Sequence, residues 1–143
     1  MTDPFPHRYE TSLKLESDHH GIISAAGLPS LVGGPPPQFG GREGWWSPEH
    51  LLLSSANLCL MTTFLAVAEK SRLSVDGYES RAEGILDKTP DGIVFTSITL
   101  RVSVKVAAAE KEKAERLLQT AKKYCIVSNS LKNPIVLEAT ITE

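Results

Sequence analysis

Residues 46–71 read WSPEHLLLSSANLCLMTTFLAVAEKS. Ser47 is a good helix cap. Pro48 suits the first helical position because its missing N–H would have no partner there, and Glu49 sets a carboxylate near the positive end of the helix dipole. The pattern predicts a helix from Ser47 to about Ser71. Leu51, Leu52, Leu53, Ala56, Leu58, Cys59, Leu60, Met61, Phe64, Leu65, Val67 and Ala68 lie around its whole circumference. A helix apolar on all sides must be buried on all sides. One small domain has too much surface for its volume to surround its own helix. The helix is therefore expected to pack against a second copy of the chain.

Upstream, residues 8–17 alternate loosely through Tyr9, Leu13 and Leu15, and read as a strand. Asp18-His19-His20-Gly21 is a turn, and residues 22–26 return as a second strand. Residues 27–46 are rich in Pro and Gly and read as a long loop; the run Gly33-Gly34-Pro35-Pro36-Pro37 propagates neither helix nor central strand. Downstream, residues 75–87 and 92–106 form a hairpin joined near Pro90-Asp91-Gly92. Val94, Ile98, Leu100, Val102, Val104 and Val106 share one parity in its second strand. Residues 109–124 carry an apolar stripe of Ala114, Leu117, Leu118 and Ala121, the mark of an amphipathic helix. A last strand runs from Ile135 to Thr142. The order predicts an α+β fold in one domain, residues 1–143.

The chain has 143 residues and a formal charge of -2. That charge offers no basic footprint for nucleic acid and no cationic face for a membrane surface. Met1 to Glu10 has no apolar core of a secretory leader. The apolar run Leu51 to Ala68 is broken by Ser54, Ser55, Asn57, Thr62 and Thr63, short of the roughly 20 apolar residues of a membrane span. A cytoplasmic protein is the expectation. Two cysteines are too few for a secreted disulfide framework. The count alone leaves buried packing, a metal site and redox chemistry open.

Cys59 sits about three turns into the helix. Cys125 follows Ala121-Lys122-Lys123-Tyr124 where the second helix ends. They are too far apart in sequence for a CxxC motif, but can pair in space. The redox reading is peroxide reduction: one thiolate attacks the O–O bond and becomes a sulfenic acid, the other cysteine condenses with it, and an external dithiol restores both. Glu49 is either a plain helix-start carboxylate or a group that orients an arginine. Arg42, in Gly40-Gly41-Arg42-Glu43-Gly44 beside Trp45-Trp46, is either a solvated loop residue or a cation that stabilises a thiolate. His19 and His20 show no zinc-ligand spacing, so no metal is expected. His7 and His50 read as surface or helix-end residues.

Gly27-Leu28-Pro29, Pro36-Pro37-Gln38-Phe39-Gly40-Gly41, Trp46-Ser47-Pro48-Glu49-His50-Leu51-Leu52 and Ala56-Asn57-Leu58-Cys59 together resemble the OsmC/Ohr family. So does the run Ala121 to Leu131. The resemblance spans about Arg8 to Ile141. It implies antiparallel sheets packed around a buried central helix in an intertwined homodimer. It also implies thiol-dependent reduction of organic hydroperoxides with a dithiol reductant and without haem, flavin or metal. Cys59 takes the place of the family's peroxidatic cysteine, Cys125 of its resolving cysteine, and Glu49 of the glutamate that pairs with a catalytic arginine. That arginine sits in the first hairpin turn of the family's peroxidases, where this chain has Ser17-Asp18-His19-His20-Gly21. Arg42 and His20 are candidates to replace it. The departure places the chain closer to a general OsmC-like branch. It keeps two other readings open: a dimeric small-molecule binding protein, and a redox sensor without turnover.

Overall fold

A computed structural model describes residues 3–143, so the first two residues of the stretch Met1 to Glu10 lie outside the described residues. Two compact units are present, one ending at Leu51 and the other running from Leu52 to Glu143.

The first unit holds a three-stranded antiparallel sheet, β1 (Ser12–Ser17), β2 (His20–Ser24) and β3 (Leu31–Gly33). Asp18 and His19 take φ of 54° and 68°, the paired left-handed conformation of a two-residue hairpin turn. β1 starts at Ser12 because its register ends there against Ser24, leaving residues 8–11 no strand to pair with. β3 lies inside the expected loop. Three residues are too few to show alternation, and what anchors them is distant: Trp46 N–H donates to Val32 O at 3.2 Å, and Gly34 N–H to Trp46 O at 2.9 Å. Gly41 is required by close approach, since a Cβ there would stand 1.6 Å from the Pro35 carbonyl oxygen.

α1 runs from Pro48 to Lys70. Ser47, fully buried, caps it by accepting the His50 N–H at 3.1 Å, and also meets His50 Nδ1 at 2.6 Å. In the second unit α1 buries one stripe, Ala56, Leu60, Phe64 and Ala68, spaced by four. Leu58 is 59% exposed and Leu65 40%. The expected all-round burial is therefore not met within one chain, because the sheet supplies only one wall. At 23 residues α1 is also long and apolar enough by length and composition to cross a membrane, more than its interrupted apolar run suggested. Its buried stripe nevertheless packs on a sheet, as in the core helix of a folded unit.

That sheet contains β4 (Gly77–Thr89), β5 (Gly92–Lys105) and β6 (Ile135–Thr142) in this order. β4 and β5 are antiparallel, but β6 runs parallel to β5, correcting the expectation of wholly antiparallel sheets. The cause is the connection: α2 (Lys111–Tyr124) and α3 (Ile126–Ser130) carry the chain back before β6 begins, and a helical crossover delivers a parallel strand. Ile98, Leu100, Val102 and Val104 of β5, with Val106 just past its end, form one buried core with the α1 stripe and with Ala114, Leu118 and Ala121 of α2. On the opposite face Arg101 bridges Glu83 and Glu138 at 3.4 and 2.9 Å. Helices thus cover one face and solvent the other, an α+β arrangement.

Val94 does not share the core parity. The register steps from Ile85↔Ser97 to Leu86↔Phe95, so Thr96 bulges and the strand changes face. Phe95 enters the core side instead, over Gly84, where a Cβ would stand 2.7 Å from the Phe95 ring.

Candidate functional site

Cys125 is a direction change in the chain. Its N–H donates to Lys122 O at 3.4 Å, closing α2, and its own carbonyl accepts the Asn129 N–H at 3.0 Å, opening α3. Its backbone there is extended, with φ −65° and ψ 111°. A new helix start leaves its first N–H groups without intrahelical acceptors. The N–H groups of Val127 and Ile126 and the Cys125 and Thr63 side chains act on the Cys59 sulfur, which packs against the cluster that holds Cys125 and stands 4.0 Å from the Thr63 hydroxyl. Two sulfurs far apart in sequence therefore meet inside the second unit. Both are free thiols, Cys59 half-buried and Cys125 fully buried.

The two thiols are biased in opposite directions. Burial pushes Cys59 up, but the Val127 N–H, Cys125, Thr63 and the Ile126 N–H outweigh it, and the thiol falls below its ordinary value. Burial pushes Cys125 up; Ser128 offsets this in part, while the neighbouring Cys59 raises it further, and the net is upward. Cys59 is thus the readier thiolate. Cys125 holds its proton, in contact with the first sulfur. This asymmetry suits an attacking nucleophile and a later condensing partner.

Glu49 belongs to the first unit. It lines a cleft of about 830 Å³ together with Leu13, Ile23, Phe39, Trp46 and His20. Glu49 Oε2 and His20 Nδ1 are buried there and have no hydrogen-bond partner among the described residues. Arg42 does not line this cleft. Its guanidinium pairs with Asp18 in the hairpin turn and lies 5.9 Å over the Trp45 ring, which stacks on His20 at 4.9 Å. The loop arginine is therefore tethered to the turn between β1 and β2, and its carboxylate partner is Asp18, not Glu49. His7 Nε2 donates to the Asp3 carbonyl at 2.8 Å. Among the described residues no cluster of three or more His, Cys, Asp or Glu side chains is arranged to hold a metal.

Thr63, Ile126, Val127 and Ser128 were not read as site residues in the sequence. Thr63 carried a signal: it follows Cys59 by four, one turn along the same helix face. α3 did not, because five residues are too short for periodicity.

The family model described as OsmC-like protein matches residues 41–140. The chain is 27% identical over 101 residues to Peroxiredoxin OsmC of Escherichia coli (strain K12), covering 71% of this chain and 70% of that protein. It is similar to the structure of an OsmC-like protein of unknown function from Vibrio cholerae, with TM-score 0.86, 21% identity, and coverage of 94% of this chain and 100% of that one. It is also similar to the structure of an organic hydroperoxide resistance protein OsmC from Legionella pneumophila, with TM-score 0.71, 21% identity, and coverage of 96% and 100%.

Proposed function

Because this chain belongs to the OsmC-like protein family, we propose that it is a thiol peroxidase that reduces organic hydroperoxides in the cytoplasm. The observation that carries the reading is the contact between Cys59, biased toward thiolate, and Cys125, biased toward thiol. The Cys59 thiolate attacks the terminal peroxide oxygen. The O–O bond breaks, the alkoxide takes a proton and leaves as an alcohol, and Cys59 becomes a sulfenic acid. Cys125 then attacks the Cys59 sulfur. The S–O bond breaks, an S–S bond forms, and water departs with the Cys125 proton. An external dithiol reopens the disulfide by two exchanges. The names of the Escherichia and Legionella relatives support a peroxide as substrate.

Glu49 and Arg42 are proposed as positioning groups. Arg42 brings a guanidinium to the hairpin turn by way of Asp18, and Glu49 offers a buried carboxylate oxygen. Two copies of the chain are proposed to associate. Leu58 at 59% exposure, Leu65 at 40%, and Leu13 and Leu15 at 74% each are large apolar side chains that a single chain leaves in water.

Peroxide consumption with dithiothreitol or a lipoyl dithiol, compared for wild type and Cys59→Ser, tests the reading. Loss of activity in the variant is expected; equal rates would overturn it. A second reading, ligand binding without turnover, is favoured by the pairing of Arg42 with Asp18 and by the unpartnered Glu49 oxygen. Sulfenate trapping under mild peroxide separates the two, because a binding protein leaves Cys59 unlabelled.

A further inference from the structure

The cleft of about 830 Å³ in the first unit is lined by neither cysteine. Its floor follows from strand register. Leu15 pairs with Gly21 and Leu13 with Ile23, while Gly21 pairs with Gly33, so two glycines stand side by side across β2 and β3. Glycine inside a strand leaves room for another group to approach the backbone closely. Leu13 and Leu15 share one face of β1 and both line the cleft, whereas Lys14 and Glu16 do not. Phe39 of the Pro-rich loop and Trp46, just before α1, add aromatic walls.

The polar part of this lining is one-sided. Glu49 is its one acidic residue, and among the described residues no lysine or arginine lines it. Arg42, the nearby cation, is held by Asp18 and does not reach the lining. Glu49 Oε2 and His20 Nδ1 are both shielded from water and unpartnered among the described residues. A shielded carboxylate oxygen without a donor is unfavourable, and a group that brings both a donor and a positive charge relieves it.

We propose that the cleft binds an organic ammonium ion, with an alkyl or aryl body over the glycine floor and its charged nitrogen at Glu49. The inference goes beyond the peroxidase reading and uses neither sulfur. A metal ion does not suit the lining, because no cluster of three or more His, Cys, Asp or Glu side chains among the described residues is arranged to hold one. An apolar body does suit it, and a primary ammonium carries several N–H donors for one carboxylate. Aromatic rings add attraction for such a cation. An anionic head would meet Glu49 as a like charge. A second copy laid over Leu13 and Leu15 is the competing occupant, and it would shut small molecules out.

The test is a fluorescence titration of the full chain at neutral pH with octylamine, 1-octanol and octanoate. These probes share one chain length and carry positive, neutral and negative heads. Trp46 lines the cleft and Trp45 stacks on His20, so an occupant changes their emission. Octylammonium is expected to bind about tenfold more tightly than octanol, the scale of one hydrogen bond to a charged group, with octanoate weakest. Glu49→Gln keeps the shape and removes the charge; the amine should lose its advantage while octanol binds as before. Equal affinities for amine and alcohol in wild type overturn the proposal, and this comparison stands even where the variant does not fold. A preference for the amine that survives in folded Glu49→Gln overturns it too. So does failure of every probe to bind, the outcome of a second copy covering the cleft. Cys59→Ser protein should give the same order of affinities, so loss of the peroxidase reading would leave this measurement intact.

Discussion

Thr63 Oγ1 lies 4.0 Å from the Cys59 sulfur, one turn further along α1. The hydroxyl is one of four groups that hold the thiol below its ordinary value against the opposing effect of burial. Thr63→Val keeps the shape and removes the donor. The thiol should become harder to ionise, and its alkylation rate at neutral pH should fall by about threefold to tenfold. A pH profile of iodoacetamide reaction in a Cys125→Ser background reads this directly. An unchanged profile would leave the backbone N–H groups of α3 and the side chain at position 125 as the cause.

Cys125→Ser removes the second sulfur while leaving the first in place. After one equivalent of peroxide, the Cys59 sulfenic acid should persist and label with a dimedone probe, where wild type closes to a disulfide. Cys125 is fully buried, so a hydroxyl there costs about 1–3 kcal/mol in urea unfolding. Absence of the label, with peroxide still consumed, would mean that Cys59 is not the atom oxidised.

Alkaline pH should weaken the fold through Tyr78. Its folded-state titration is raised from 10.0 to about 12, so the neutral phenol is favoured in the folded chain. A raised group of this kind contributes stability that is complete below its unfolded value. The contribution falls off as pH rises through the folded value. Unfolding midpoints should therefore drop between about pH 10 and 12, and Tyr78→Phe should flatten that drop. Cys125, also raised, contributes in the same direction, so Tyr78→Phe in a Cys125→Ser background isolates the phenol.

Leu58→Glu tests the proposed pairing of two copies. Leu58 faces away from the core stripe and is 59% exposed, so the charge is tolerated by the isolated chain. In a dimer that covers α1 it would be buried without a partner, which strongly disfavours association. Sedimentation should show wild type as a dimer and the variant as a monomer. A variant that remains dimeric would move the interface off this face of α1.

Period and capping were enough to find the main elements. Ser47-Pro48-Glu49 started α1, alternation drew β5, and the Ala114-Leu118-Ala121 stripe drew α2, because each signal is local and repeats over several turns or residues. The paired-cysteine contexts also pointed to Cys59 and Cys125. Other features depended on neighbours distant in sequence. β3 is pinned by Trp46, β6 takes its direction from the crossover through α2 and α3, and the Thr96 bulge exchanges Val94 for Phe95 against Gly84. The bias between the two thiols is likewise tertiary. It comes in large part from where α3 places its first N–H groups and from how deeply Cys125 is buried, and only packing sets both.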